Sequence, residues 1–160
     1  DDDNVQVFDL AQGSAPVLIK VGRAPFGITL SADGHQLFSA NVQSDDVSIV
    51  DMLERRETAR VKVGDAPYAS EHDARRNLLF VTNQQDGTVS VIDLATATER
   101  ARIPVGDYPE GIDYSATLDR VYVACWFDNA LYVINPATLQ VEARIPTGDG
   151  SRAFGDFIRE

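Results

Sequence analysis

Cys125 and Trp126 are the only cysteine and the only tryptophan of this 160-residue chain, and Phe127 follows them. A thiol beside two large rings suggests either a nucleophile or an aromatic anchor for a ligand or partner. A nucleophilic cysteine needs a base to hold it as thiolate, and the sequence places none beside Cys125. Packing is the competing explanation, with Cys125 a small core residue and Trp126 filling a gap. His72 stands between Glu71 and Asp73, so a metal or haem ligand is conceivable there. One imidazole without a second His or Cys at ligand spacing favours a structural or solvated histidine instead. His35 falls in a turn and is expected at the surface. Glu71, His72, Glu110, Asp113 and Arg152 could line a polar axial channel for water or a cation, although strand ends are often charged simply because they are solvated. "DDDN" and "QSDD" share composition with calcium loops but lack the glycine and distal glutamate of an EF-hand. No Walker A, GxSxG or HExxH stretch occurs. No catalytic residue, cofactor or metal is therefore assigned.

These residues are placed by a repeat. "VQVFD", "VSIVD", "VSVID" and "LYVIN" start at Val5, Val47, Val89 and Leu131, each 42 residues after the last. Gly22, Gly64, Gly106 and Gly148 keep the same step, as do Pro25, Pro67 and Pro109. Within a unit the apolar residues alternate as in strands, and no segment carries a capped helical stripe. The first full unit predicts an inner strand over Pro25–Ser31, a second over His35–Asn41, a third over Val47–Asp51 and an outer one over Glu57–Val63. "ADG" makes a hairpin turn in which Gly34 can take positive φ. The "VGxxP" corner leads to the next unit, with glycine expected to allow the turn and proline to end pairing. Small residues, Gly27, Ala69, Gly111 and Ala153, follow two positions later, where inner strands crowd an axis.

Four antiparallel strands in about 42 residues match one blade of a β-propeller. The fold class is thus all-β, a propeller of four-stranded blades with about four repeats in this chain. Residues 1–160 read as a single domain with repeat units 5–46, 47–88, 89–130 and 131–160. "FVTNQQDGTVSVIDLATATERARIPVGDYPEGI" resembles the YVTN-type β-propeller repeat, its signature standing as Phe80-Val81-Thr82-Asn83 with looser copies at Phe38–Asn41 and Val121–Cys125. "LSADG" is similar to that family's Ser-Pro-Asp-Gly hairpin, with Ala32 in place of the proline. The resemblance implies a fold, and a family that includes surface proteins, periplasmic binding modules and relatives of dehydrogenase subunits. It also implies a periplasmic or cell-surface location.

In register, Asn41 and Asn83 become Cys125, Val42 and Gln84 become Trp126, and Gln43 and Gln85 become Phe127. The third copy breaks the pattern, and a local break in a strong repeat points to function. Propellers usually bind at the face built from the corners and the second-to-third-strand loops. The candidate ligand or partner face is therefore Cys125, Trp126, Phe127, Asn41 and Asn83 with the corner residues Arg23, Asp65 and Asp107.

The net charge is −11, from 25 acidic and 14 basic residues. That disfavours nucleic acid and anionic lipid, which need a basic patch. It serves solubility, or presents an acidic face to a cationic partner such as a basic redox protein or a metal ion. No apolar run reaches the roughly 18 residues of a membrane span, so no membrane insertion is expected. A lone cysteine allows no intrachain disulfide. The chain starts at Asp1, and we read it as processed, trimmed or cut from something longer.

The ends bear on ring closure. Asn4–Leu10 and Pro16–Val21 read as third and outer strands, and Ser151–Ile158 falls where an inner strand belongs. A second strand for that blade is not supplied. Two routes are open: a part of a larger ring, or a homodimer completing one ring of about eight blades. The functional expectation is a non-enzymatic binding module presenting its axial loop face to a protein or small ligand. The alternative is a propeller enzyme, or a subunit of a quinone- or haem-linked periplasmic dehydrogenase with a cofactor or metal at the axis. A structural array protein on a cell surface is the third.

Overall fold

The computed structural model describes residues 2–11, 13, 15–155 and 157–158. It holds strands and no helix among them, so no helix is long and apolar enough to cross a membrane. β1 (Asn4–Val7) and β2 (Val17–Lys20) form a two-stranded sheet. Three four-stranded meanders follow. The first contains β3 (Pro25–Leu30), β4 (Gln36–Asn41), β5 (Asp46–Asp51) and β6 (Arg56–Lys62). The second contains β7 (Pro67–Asp73), β8 (Leu78–Asn83), β9 (Thr88–Asp93) and β10 (Thr98–Pro104). The third contains β11 (Pro109–Ser115), β12 (Arg120–Cys125), β13 (Ala130–Asn135) and β14 (Gln140–Pro146). Neighbouring strands are antiparallel and paired in sequence order, and the array does not close.

Register repeats with the sequence. Phe38 faces Ile49, Phe80 faces Val91 and Tyr122 faces Val133, so each blade aligns its second and third strands alike. The strand limits read from the full units hold to within one residue.

The blades stack through separate apolar cores rather than one. Val5, Ile19 and Val21 pack on Leu37 and Val50 of the first blade. Phe38, Val47, Ile49 and Val61 pack on Leu79, Val81 and Ile92 of the second. Leu78, Phe80, Val91 and Ile103 meet Ile112, Val121, Val123 and Cys125 at the third junction. Burial of these aliphatic faces is the main favourable term, and each blade needs a neighbour to realise it.

Two expectations are corrected. The corner glycines do not supply positive φ; Ala24, Ala66 and Tyr108 take it, two positions later, at 52°, 53° and 54°. Gly22 and Gly64 are needed for close approach, because a Cβ would collide with the carboxylates of Asp46 and Asp86. Ser151–Ile158 is not a paired strand among its described residues; Asp156 lies outside them. No second strand runs beside this segment to bond it, yet it follows the inner-strand path. The Ala153 carbonyl lies where a Cβ on Gly111 would stand, as the Tyr68 carbonyl does at Gly27. The crowding argument for small residues holds at both places.

Candidate functional site on the corner-loop face

β12 ends at Cys125, and the chain then turns outward. Cys125 is fully buried in the third core, and burial pushes its thiol up to about 12. A thiol so raised is not a nucleophile at neutral pH. Trp126 and Phe127 lead the turn into β13, with the Trp126 amide donating to the Tyr108 carbonyl at 2.9 Å. Their rings stack with centroids 4.5 Å apart, and Tyr108 lies 4.4 Å from Phe127. Phe127 is 56% exposed, so this aromatic cluster has a free face.

A polar chain supports the cluster from below. The Arg152 guanidinium lies over the Trp126 ring, 3.8 Å from its centre. Its Nε and a terminal nitrogen donate to the two Glu110 carboxylate oxygens at 2.7 and 2.8 Å. Gln84 Nε2 donates to the same carboxylate at 2.8 Å. Glu110 is fully buried, and a buried carboxylate persists only with such partners. Gln84 comes from the β8–β9 turn, Glu110 from β11 and Arg152 from the segment after β14, so the chain joins consecutive blades. The carboxylate also holds Arg152 firmly protonated.

The other face residues divide. Arg23, Asp65 and Asp107 are exposed at the corners, Arg23 donating to the Gln43 carbonyl at 2.7 Å. Asn41 and Asn83 are buried and point into their own blades. Asn41 Nδ2 donates to Asp46 and Ser48, and Asn83 Nδ2 to Thr88 and Ser90. They lock the second strand to the third and do not reach a ligand.

The residues expected at the axis do not assemble into one set. Glu71 lines a cleft of about 480 Å³ between the inner strands, whose walls include Phe26, Ile28, Tyr68, Ile112 and Phe154. Asp113 is buried and occupied, accepting the Phe157 and Ile158 amides at 2.7 and 2.6 Å. The His72 ring lies 5.6 Å from Phe38, between the first two blades, and both its nitrogens are buried without a partner. Burial therefore lowers its pKa, while Asp73 and Asp33 pull the other way. Among the described residues no three His, Cys, Asp or Glu side chains converge as a metal site.

Two features escaped the sequence reading. Tyr108 belongs to the aromatic cluster, and its signal was present, since the same repeat position holds Ala24 and Ala66. Arg76 forms the second. It donates to Asp73 at 2.7 Å and to both Asp119 oxygens at 2.9 and 2.6 Å, while the Tyr114 hydroxyl also reaches Asp119 at 2.9 Å. That network clamps the second blade to the third away from the corner loops.

No protein-family model matches the sequence, and no curated protein does. Solved structures do. A chain of Kuenenia stuttgartiensis hydrazine synthase superposes with a TM-score of 0.77 at 34% identity, covering 86% of this chain and 39% of that one. A chain titled dihydro-heme d1 dehydrogenase NirN in complex with DHE superposes at 0.76 and 18% identity, covering 94% of this chain and 34% of that one. Both are propeller-type proteins. The fold is an open arc of a β-propeller. The chain spans between a third and two fifths of the length of these neighbours. In all, 1006 solved chains match, a breadth that marks a shared architecture rather than a shared reaction.

Proposed function

We propose that this propeller arc is a non-enzymatic binding module whose corner-loop face receives a basic protein segment, gripped by the aromatic cluster of Tyr108, Trp126 and Phe127. The observation that carries this reading is the exposed Phe127 ring, stacked on rigid neighbours at the place where the repeat breaks. Large rings fixed by their surroundings lose little entropy on binding and make effective anchors. Asp86 and Asp107 stand exposed beside Tyr108 and Phe127. An acidic rim on a chain of charge −11 speeds encounter with a cationic partner. Trp126 supplies the assay, being the only indole. Its emission is titrated with arginine-rich peptides that carry or lack a central leucine. Tighter binding of the leucine peptide, lost in Phe127→Ala, supports the reading; equal binding to wild type and variant rejects it.

Membership of the YVTN-type repeat family, and a periplasmic or cell-surface location, belong to the same proposal and rest on the Phe80–Asn83 signature. A second reading, a subunit of a redox enzyme assembly, is favoured by the 34% identity to a hydrazine synthase chain. Visible absorbance and metal analysis of the purified chain test it. A colourless, metal-free protein would remove that support.

A further inference from the structure

A notch of about 290 Å³ opens on the corner-loop face between the second and third blades. Both blades are complete four-stranded sheets, so the notch does not depend on where the chain begins or ends. One wall is aromatic, with the Tyr108 and Phe127 rings 4.4 Å apart and inclined at 52°. The other is polar, with Asp107 from the corner and Gln85 and Asp86 from the β8–β9 turn. The junction between the first and second blades is built differently. There Ala66 and Gln85 hold the positions of the two rings, and Ser44 holds that of Asp86.

The polar wall has acceptors to spare. Asp86 is engaged, one of its oxygens accepting from the Asp65 amide at 3.0 Å and from Arg102 at 3.2 Å. Asp107 is exposed and enters no hydrogen bond or ion pair among the described residues. Gln84, also lining the notch, commits its amide nitrogen to Glu110 at 2.8 Å and keeps its carbonyl oxygen as an acceptor. The cluster already holds one cation, since the Arg152 guanidinium lies 3.8 Å from the centre of the Trp126 ring with Glu110 as its carboxylate. A second cation against Tyr108 and Phe127 repeats that contact, with Asp107 in the role of Glu110. Acceptors carried on separate side chains suit a compact charge with three divergent donors. A guanidinium instead asks for one carboxylate presented edge-on.

We propose that this notch binds an alkylammonium group, supplied by a lysine side chain. That the lysine belongs to a basic protein segment rests on the binding role proposed above; the chemistry of the notch does not. The interaction joins exposed charges, so added salt weakens it.

Backbone amide shifts of the isotope-labelled chain, followed by NMR during titration with n-butylammonium chloride, test the notch without any partner. Saturable shifts are expected at residues 84–87, 107, 108 and 127, the notch lining. Neutral n-butanol, and sodium chloride at equal ionic strength, should leave those amides in place, and n-butylguanidinium should bind about threefold more weakly. Asp107→Asn keeps the shape of the side chain and should weaken n-butylammonium about fivefold. Tyr108→Ala installs the residue found at Ala24 and Ala66, so the corner keeps its backbone, and it should weaken binding by a similar factor. Spectra otherwise like that of the wild type show that each variant is folded. Shifts that sodium reproduces, a guanidinium that binds as well as the ammonium, or unchanged affinity in either variant overturns the proposal. Binding of the amine by a protein that ignores the arginine-rich leucine peptides upholds the notch and rejects the basic-segment reading. The opposite pair of results rejects the notch and leaves that reading standing.

Discussion

Glu110 and Arg152 hold the same position in successive repeats, 42 residues apart, and their side chains meet at 2.7 Å. The two preceding copies of that position, Phe26 and Tyr68, also meet each other, with ring centroids 4.2 Å apart. One inner-strand position therefore stitches the first blade to the second by aromatic contact, and the third blade to the segment after β14 by an ion pair beside the aromatic cluster.

Replacing Arg152 by alanine should release the segment after β14 and uncover Trp126. Emission of the indole should change, and limited proteolysis should cut first near residues 150–158. Arg152→Lys should restore the ion pair but not the flat stacking, giving an intermediate result. An Arg152→Ala protein with unchanged emission and proteolysis would remove the latch role.

His72 makes an acid-sensitive joint. Its pKa is lowered in the folded protein, so the unfolded chain binds the proton more readily. Its contribution is therefore complete above about pH 6.5, the ordinary value, and is lost as pH falls through the lowered folded value. His72→Leu installs the residue found at Leu30, the equivalent position. It should stabilise the fold by about 1 kcal/mol at neutral pH by removing two unpartnered buried nitrogens. The urea midpoint of wild type should drop more than that of the variant between pH 7 and pH 5.

The Arg76 network resists acid further. Arg76 and Tyr114 hold Asp119 down at about 2, from an ordinary 3.8. Asp119 contributes fully above about pH 4 and loses that contribution as pH falls through about 2. Asp119→Asn should move the acid unfolding midpoint upward. Arg76→Leu leaves the Asp73 carboxylate buried without its cation and should cost about 3 kcal/mol by denaturant unfolding at pH 7.

Cys125 should resist thiol reagents until the chain unfolds, since the reactive thiolate is suppressed. Cys125→Asn restores the residue of the other copies but should cost about 2 kcal/mol, because a buried amide would lack partners. Thermal melting of the variant against wild type measures it.

That last case shows what was legible. Asn41 bonds Asp46 and Ser48, and Asn83 bonds Thr88 and Ser90; in the third copy those positions are Ala130 and Tyr132. Cys125 stands in the copy whose sequence lacks the asparagine's partners, a coupled difference visible in the repeat itself. Strands and register could be read because the same spacing is written several times over. The splitting of the axial set could not: Glu71 and His72 are neighbours on β7 and face opposite sides of the sheet, while Asp113, the repeat equivalent of Glu71, is taken by the Phe157 and Ile158 amides of a segment without strand pairing. The Arg152 stack on Trp126 depends on a segment without strand pairing, which no periodicity announces.

The separate cores between consecutive blades have a mechanical consequence. No single nucleus locks the whole arc, so tension applied between the ends should not meet one all-or-none barrier. The chain should yield like a row of clasps, each release freeing one repeat, roughly 140 Å of extended polypeptide. A sawtooth of near-equal teeth in a pulling experiment would be the signature of an architecture written as one phrase said again and again.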